Sequence, residues 1–219
     1  MSLLLYGIVE AGDGPEVAGV GVDEQPLRGV PEASLLAIVS DHRGRAPDPT
    51  TNAMLAYERA VRRVMDGGAV LPVQFGSVLD DEAAVRELLR RRRKDLLAQL
   101  DRVRGAVEIG LRASWRDRER VTDRGRKSGT SYLRDRLELR QNARRVASEL
   151  DPLTAVARSS RRALAPRPDL PVLDSYLVDR ARVSEFVALV AQLDHRLDDV
   201  ELVCTGPWPP YSFAEGTPR

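Results

Sequence analysis

Val107-Glu108-Ile109-Gly110-Leu111-Arg112-Ala113 is the stretch on which the reading of this fold turns. Val107, Ile109, Leu111 and Ala113 alternate with Glu108, Gly110 and Arg112, and a period of two places the first set on a dry face and the second on a wet one, as in a strand covered on one side. Immediately before it, Val85, Leu88, Leu89, Leu96, Leu100 and Val103 recur at helical spacing behind the acids Asp80, Asp81 and Glu82, which favour a helix start. Ser77 or Asp80 serves as its cap, and Gly105 separates it from the strand. A helix that hands over to an antiparallel-type strand points to the α+β class.

Toward the amino terminus, the unbroken apolar run Leu3 to Val9 reads as a buried strand and Leu35 to Val39 as a neighbour, with a Gly- and Pro-containing loop from Ala11 to Pro31 between them. Thr50 or Thr51 caps a helix carrying Met54, Tyr57, Val61, Val64 and Met65, and Gly67 with Gly68 ends it. Val70 to Gly76 is a short extended piece in which Pro72, unable to donate to a ladder, favours a sheet edge or a bulge. These elements have nearly the content of a ferredoxin-like βαββαβ unit whose first helix is replaced by a loop. We place a domain at 1–105 and a second at 106–219.

In the second half, charge dominates Trp115 to Ser128, which reads as a solvated connection. A long helix starts near Thr130, with Leu139, Ala143, Val146, Leu150, Leu153, Ala157 and Leu164 near heptad spacing. Asp151-Pro152 either caps a second helix or kinks the first. Pro166, Pro168 and Pro171 close this region; Val172 to Val178 forms a strand, Val183 to Leu197 an amphipathic helix, and Val200, Leu202 and Cys204 a last strand. The tail is Gly206-Pro207-Trp208-Pro209-Pro210-Tyr211-Ser212-Phe213.

Composition narrows the function. Of 219 residues 42% are apolar, enough for an ordinary core, and no apolar run approaches the roughly 18 residues of a membrane span. Lys and Arg total 34 against 33 Asp and Glu, so no overall field draws the chain to nucleic acid or anionic lipid. The single cysteine, Cys204, and the lack of a basic segment with a cleavage site at the start lead us to expect a cytoplasmic protein.

No G-x-x-x-x-G-K-[ST], G-x-G-x-x-G or G-x-S-x-G pattern is present, and His42, His195 and one cysteine do not make a zinc site. We therefore expect no catalytic residue, no cofactor and no metal. Asp80 with Asp81, and Asp198 with Asp199, sit where capping accounts for them. Between Arg86 and Arg104 the helix carries eight basic and three acidic side chains, with Arg92 inside the apolar stripe. This reads as a solvated face, with a protein contact or a nucleic-acid grip as alternatives.

Two features suit partner binding. The prolines hold the tail extended while Trp208, Tyr211 and Phe213 offer apolar area at low entropic cost, either as a strap on the protein's own body or as a docking segment. The heptad helix around Val146 and Leu150 either packs within its own domain or presents a seam to another chain.

The motifs Leu5-Tyr6-Gly7-Ile8-Val9, Leu71-Pro72-Val73-Gln74-Phe75-Gly76-Ser77-Val78, Gly129-Thr130-Ser131-Tyr132-Leu133 and the tail from Gly206 to Phe213 together resemble the GvpL/GvpF family of gas vesicle accessory proteins, in the family's order and across nearly the whole chain. The resemblance leans toward the F branch without deciding it; Gln74 stands where the family commonly has a basic residue. It implies an amino-terminal modified ferredoxin-like domain, a carboxy-terminal α+β domain, residence in the gas vesicle as a minor component, and no known catalytic residues. It further implies binding of GvpA, the small hydrophobic shell protein, to keep it from aggregating during vesicle nucleation. A nucleic-acid-binding protein using the helix 80–104 and an unrecognised enzyme are the alternatives from other classes.

Overall fold

The run Leu3 to Val9 is apolar at every position except Tyr6 and Gly7, which suits a strand covered on both faces rather than one. In the computed structural model, which describes residues 2–12, 18–44, 46–116, 129–163 and 172–215, it forms β1 (Ser2–Glu10), and its residues 3 to 9 are all buried. The chain divides into two units, Met1–Ala106 with Pro209–Arg219 and Val107–Trp208. The last eleven residues therefore count with the first unit, whereas the sequence analysis groups them with the second half.

In the first unit β1 pairs antiparallel with β3 (Leu35–His42), and β2 (Arg28–Glu32) joins the far side of β3. The short β4 (Leu71–Pro72) takes the other edge, giving the order β2-β3-β1-β4, and β5 (Val78–Leu79) also pairs with β1. Pro72 lies on the edge strand, where a missing donor costs no ladder bond. Helix α1 (Thr51–Gly67) is capped by Thr50, whose side chain accepts from the Ala53 amide, and ends at Gly68. Helix α2 (Glu82–Val103) is capped by Asp81 rather than Ser77 or Asp80.

Successive residues of a strand point to opposite faces. Ser40 meets Tyr6, which stacks on Tyr57 of α1, while the next residue, Asp41, meets Arg28, which also holds Glu82 of α2. The two helices thus cover opposite faces of the sheet, and the continuous burial of β1 follows. Gly7 permits this: a Cβ there would lie 2.7 Å from Val70 Cγ2 and 3.2 Å from the Leu71 carbonyl of the adjoining strand.

The second unit is a four-stranded sheet in the order β7-β8-β6-β9, formed by β6 (Ala106–Trp115), β7 (Ser159–Ala163), β8 (Val172–Asp179) and β9 (Val200–Trp208). Helix α3 (Gly129–Glu149), the residue Leu150 that follows it and helix α4 (Val183–Arg196) supply its core with Val146, Leu150, Phe186, Val190 and Leu193, each at most 4% exposed. Tyr176 of β8 packs on Phe186 with ring centroids 5.0 Å apart.

Several elements depart from the sequence expectation. β2 falls largely within the loop expected over Ala11 to Pro31; its strand form comes from the ladder to β3, and Val30 is buried. The heptad pattern does not continue as helix beyond Glu149: a 3-10 turn at Asp151–Ala155 follows, then β7. The strand sequence Ser-Ser-Arg-Arg-Ala has no alternation, and pairing with β8 imposes its form. On β6, Glu108 of the expected wet face is buried and only Arg112 is well exposed. Leu164, Pro166, Pro168, Pro171 and residues 117–128 lie outside the described residues.

Candidate functional site

The motif residues of the first unit converge on one buried knot. Tyr57 of α1 stacks on Tyr6 at 4.8 Å and meets Phe75 edge-on at 5.3 Å. Its hydroxyl donates to the Val73 carbonyl at 2.7 Å and lies 2.9 Å from the Leu5 carbonyl, tying the helix to β1 and to the strand after it. Burial, with minor repulsion from the neighbouring Tyr211, Tyr6 and Glu58, holds the Tyr57 hydroxyl well above its ordinary pKa, so it stays a donor. Tyr6 Oη accepts from the Val22 amide at 2.9 Å, anchoring the loop that stands where a ferredoxin-like unit has its first helix. Gly21 is required beside it, since a Cβ would fall 2.0 Å from Tyr6 Oη. These tyrosines hold the scaffold together by stacking and by hydrogen bonds to its backbone.

The carboxy-terminal segment rests on this scaffold. Pro209 and Pro210 are buried, a 3-10 turn spans Tyr211–Phe213, and Phe213 is 2% exposed. Half-buried Tyr211 places its hydroxyl 3.3 Å from Glu58 of α1. Across the sheet, Gln99 of α2 accepts the Glu215 amide at 2.8 Å and donates to the Glu215 carbonyl at 3.1 Å, and Arg92 donates to the same carbonyl at 3.0 Å. Gln99 and Glu58 escaped the sequence analysis. The signal for Gln99 was there: a lone polar residue inside the stripe Leu96, Leu100, Val103.

Of the other expected partner residues, Val146 and Leu150 are fully buried core of the second unit and present no seam. Trp208 ends β9, opposite Glu108 in the ladder to β6, and is half-buried. Cys204, on the same strand, is half-buried, and burial pushes its thiol up to about 11, away from reactivity at neutral pH.

The arginines of α2 are largely spoken for by nearby acids. Arg86 pairs with Glu82, Arg90 with Glu32 and Glu87, Arg91 with Glu87, and Arg92 with Asp95, while Arg93 reaches Ser34.

Two polar clusters remain. In the second unit Asp174, 1% exposed, accepts from Arg162 Nε at 2.9 Å and from Tyr176 Oη at 3.1 Å, and Arg162 also reaches Asp151. Burial raises the Asp174 carboxyl above the usual range, and Arg162 only partly offsets it. In the first unit a cavity of about 310 Å³ is lined by Asp23, Gln25, Asp41, His42 and Arg43. Among the described residues no group of three or more His, Cys, Asp or Glu is arranged to hold a metal ion.

A protein of this architecture, with two α+β units and a terminal segment that returns to the first of them, belongs to the class of mixed α+β proteins built on two antiparallel sheets. The family model described as "Gas vesicle synthesis protein GvpL/GvpF" matches residues 2–215, and the chain belongs to that family. It is 29% identical to gas vesicle protein F of Streptomyces sp. strain CB03234, over 98% of this chain and 100% of that protein. It is 31% identical to gas vesicle protein L of the same strain, over 97% of this chain and 82% of that one. The crystal structure of GvpF from Anabaena sp. PCC7120 superposes with a TM-score of 0.83 at 21% identity, covering 98% of this chain and 96% of that one, which shows a shared fold.

Proposed function

We propose that this chain is a minor component of the gas vesicle that binds the hydrophobic shell protein GvpA and keeps it from aggregating while the vesicle nucleates. The observation that carries the reading is the family match across residues 2–215, which ties the chain to gas vesicle synthesis. The sequence has no phosphate-cradling loop, so the capture draws on binding energy alone and runs to a fixed molar ratio. A surface for an apolar client must be apolar itself. With Val146 and Leu150 in the core, the large exposed apolar side chains among the described residues are Val20, Met54 and Leu55 of the first unit and Leu137, Leu173 and Val187 of the second.

Co-precipitation tests the proposal. The immobilised intact chain should retain GvpA without added nucleotide and in a saturable ratio, and Met54→Ser with Leu55→Ser should lower retention if the first unit carries the contact. Failure to retain GvpA at any ratio contradicts the reading, and retention of RNA that weakens steeply with salt would favour the nucleic-acid alternative.

A further inference from the structure

Successive residues with side chains seldom share the left-handed backbone region, because each Cβ crowds the following carbonyl. Asp23 (φ 53°, ψ 31°) and Glu24 (φ 56°) both adopt it. The turn that carries them is fixed by its neighbours: the Val22 amide donates to Tyr6 Oη at 2.9 Å, the Gly21 amide to the Gln25 carbonyl at 2.8 Å, and the Gln25 amide to the Val22 carbonyl at 3.2 Å. The buried tyrosine knot therefore sets where Asp23 stands, and Asp23 stands on the wall of the cavity of about 310 Å³.

The same wall carries the opposite charge, Arg43. Asp23 and Arg43 form no ion pair, with each other or with any other described residue. The third charged lining group, Asp41, is already held by Arg28 at 3.2 Å. Beside them His42 keeps a buried Nε2 with no hydrogen-bond partner, and the side-chain amide of Gln25 has only the Asp23 carbonyl, at 3.4 Å. Hydrogen-bonding capacity on this wall is thus left unused.

Two opposite charges that line one cavity without closing on each other complement a molecule that carries both. A simple anion at Arg43 meets the repulsion of Asp23, and a simple cation at Asp23 that of Arg43; a zwitterion turns both interactions into attractions. The volume lies near the lower end of the range for small-molecule sites, which suits a compound of amino-acid size. We propose that this cavity binds a small zwitterion, its carboxylate toward Arg43 and its ammonium toward Asp23, with Gln25 and His42 offered to the polar atoms between. The inference goes beyond the capture of GvpA and does not depend on it.

Amide chemical shifts of the isotope-labelled full-length chain provide the test. The probes are glycine, β-alanine, γ-aminobutyrate and ε-aminocaproate, which hold the same two charges at increasing separation. One member should bind saturably and more tightly than the others, moving the amides of Asp23, Gln25 and His42, because fixed walls favour one spacing. The matching amine and the matching carboxylate, with one charge each, should bind at least about 10-fold more weakly. Asp23→Asn, which the left-handed backbone tolerates, and Arg43→Gln should each lower the affinity of the best probe by about 10-fold or more. Both residues are exposed, so neither change unsettles the fold. No saturable shift with any member of the series, equal binding of the carboxylate that lacks the amine, or affinity unchanged in either variant would overturn the proposal.

Discussion

The carboxy-terminal segment and helix α3 bury apolar side chains alike and differ in the polar pairing that accompanies the burial. Helix α3 meets its unit through Ala143, Val146 and Ala147, followed at once by Leu150, all at most 5% exposed, so lifting it would bare contiguous apolar surface. The terminal segment buries Pro209, Pro210 and Phe213 and adds hydrogen bonds from Arg92 and Gln99 to the Glu215 backbone. Both regions bear aromatic or heptad patterns of the sort that suggests partner binding, and side-chain pairing to the backbone of Glu215 is what separates them.

That contrast can be broken by substitution. Leu150→Ala, in the bed of α3, should cost about 2–5 kcal/mol in urea unfolding because a cavity remains. Phe213→Ala should cost about 3–5 kcal/mol, because the ring is 2% exposed and its removal leaves a cavity. A loss below about 1 kcal/mol for Phe213→Ala would contradict its place in the core. Cys204 reports on the second unit from another side. With its thiol raised from 9.0 to about 11 by burial, alkylation by iodoacetamide at pH 8 should run about 100-fold slower in the folded than in the unfolded chain. The sign of the linkage follows: the folded form holds this proton more tightly, so its contribution to stability falls as pH rises through 9.0 to about 11. The smallest effect belongs to α2. Arg91→Glu and Arg93→Glu should each change stability by less than about 0.5 kcal/mol, because Arg91 is 76% exposed and its bond to Glu87 is a surface pair.

Much of this architecture is legible in the residues, for reasons that differ by element. Periodicity reveals α1, α2, α4, β1, β3, β6 and β8 because each buries a face or stripe of its own. β2 and β7 are invisible for the converse reason: Arg28 to Glu32 and Ser159 to Ala163 owe their form to ladders with β3 and β8. The Arg162–Asp174 pair that helps hold β7 joins residues on two strands and has no local signature. At the terminal segment, Tyr211 and Phe213 announce themselves by type, and the strap reading agrees with their placement. The seat does not, because Gln99 looks like an interruption of a helix stripe until its partner across 116 residues is seen. Val146 and Leu150 teach the same lesson in reverse, since heptad spacing describes a buried face without saying whose chain buries it.

Light scattering of GvpA diluted from denaturant tests the functional account most directly. Added full-length chain should suppress the scattering in a dose-dependent manner, without nucleotide, and saturate at a fixed molar ratio. Unchanged scattering at excess chain, or suppression that appears only when nucleotide is added, would contradict it.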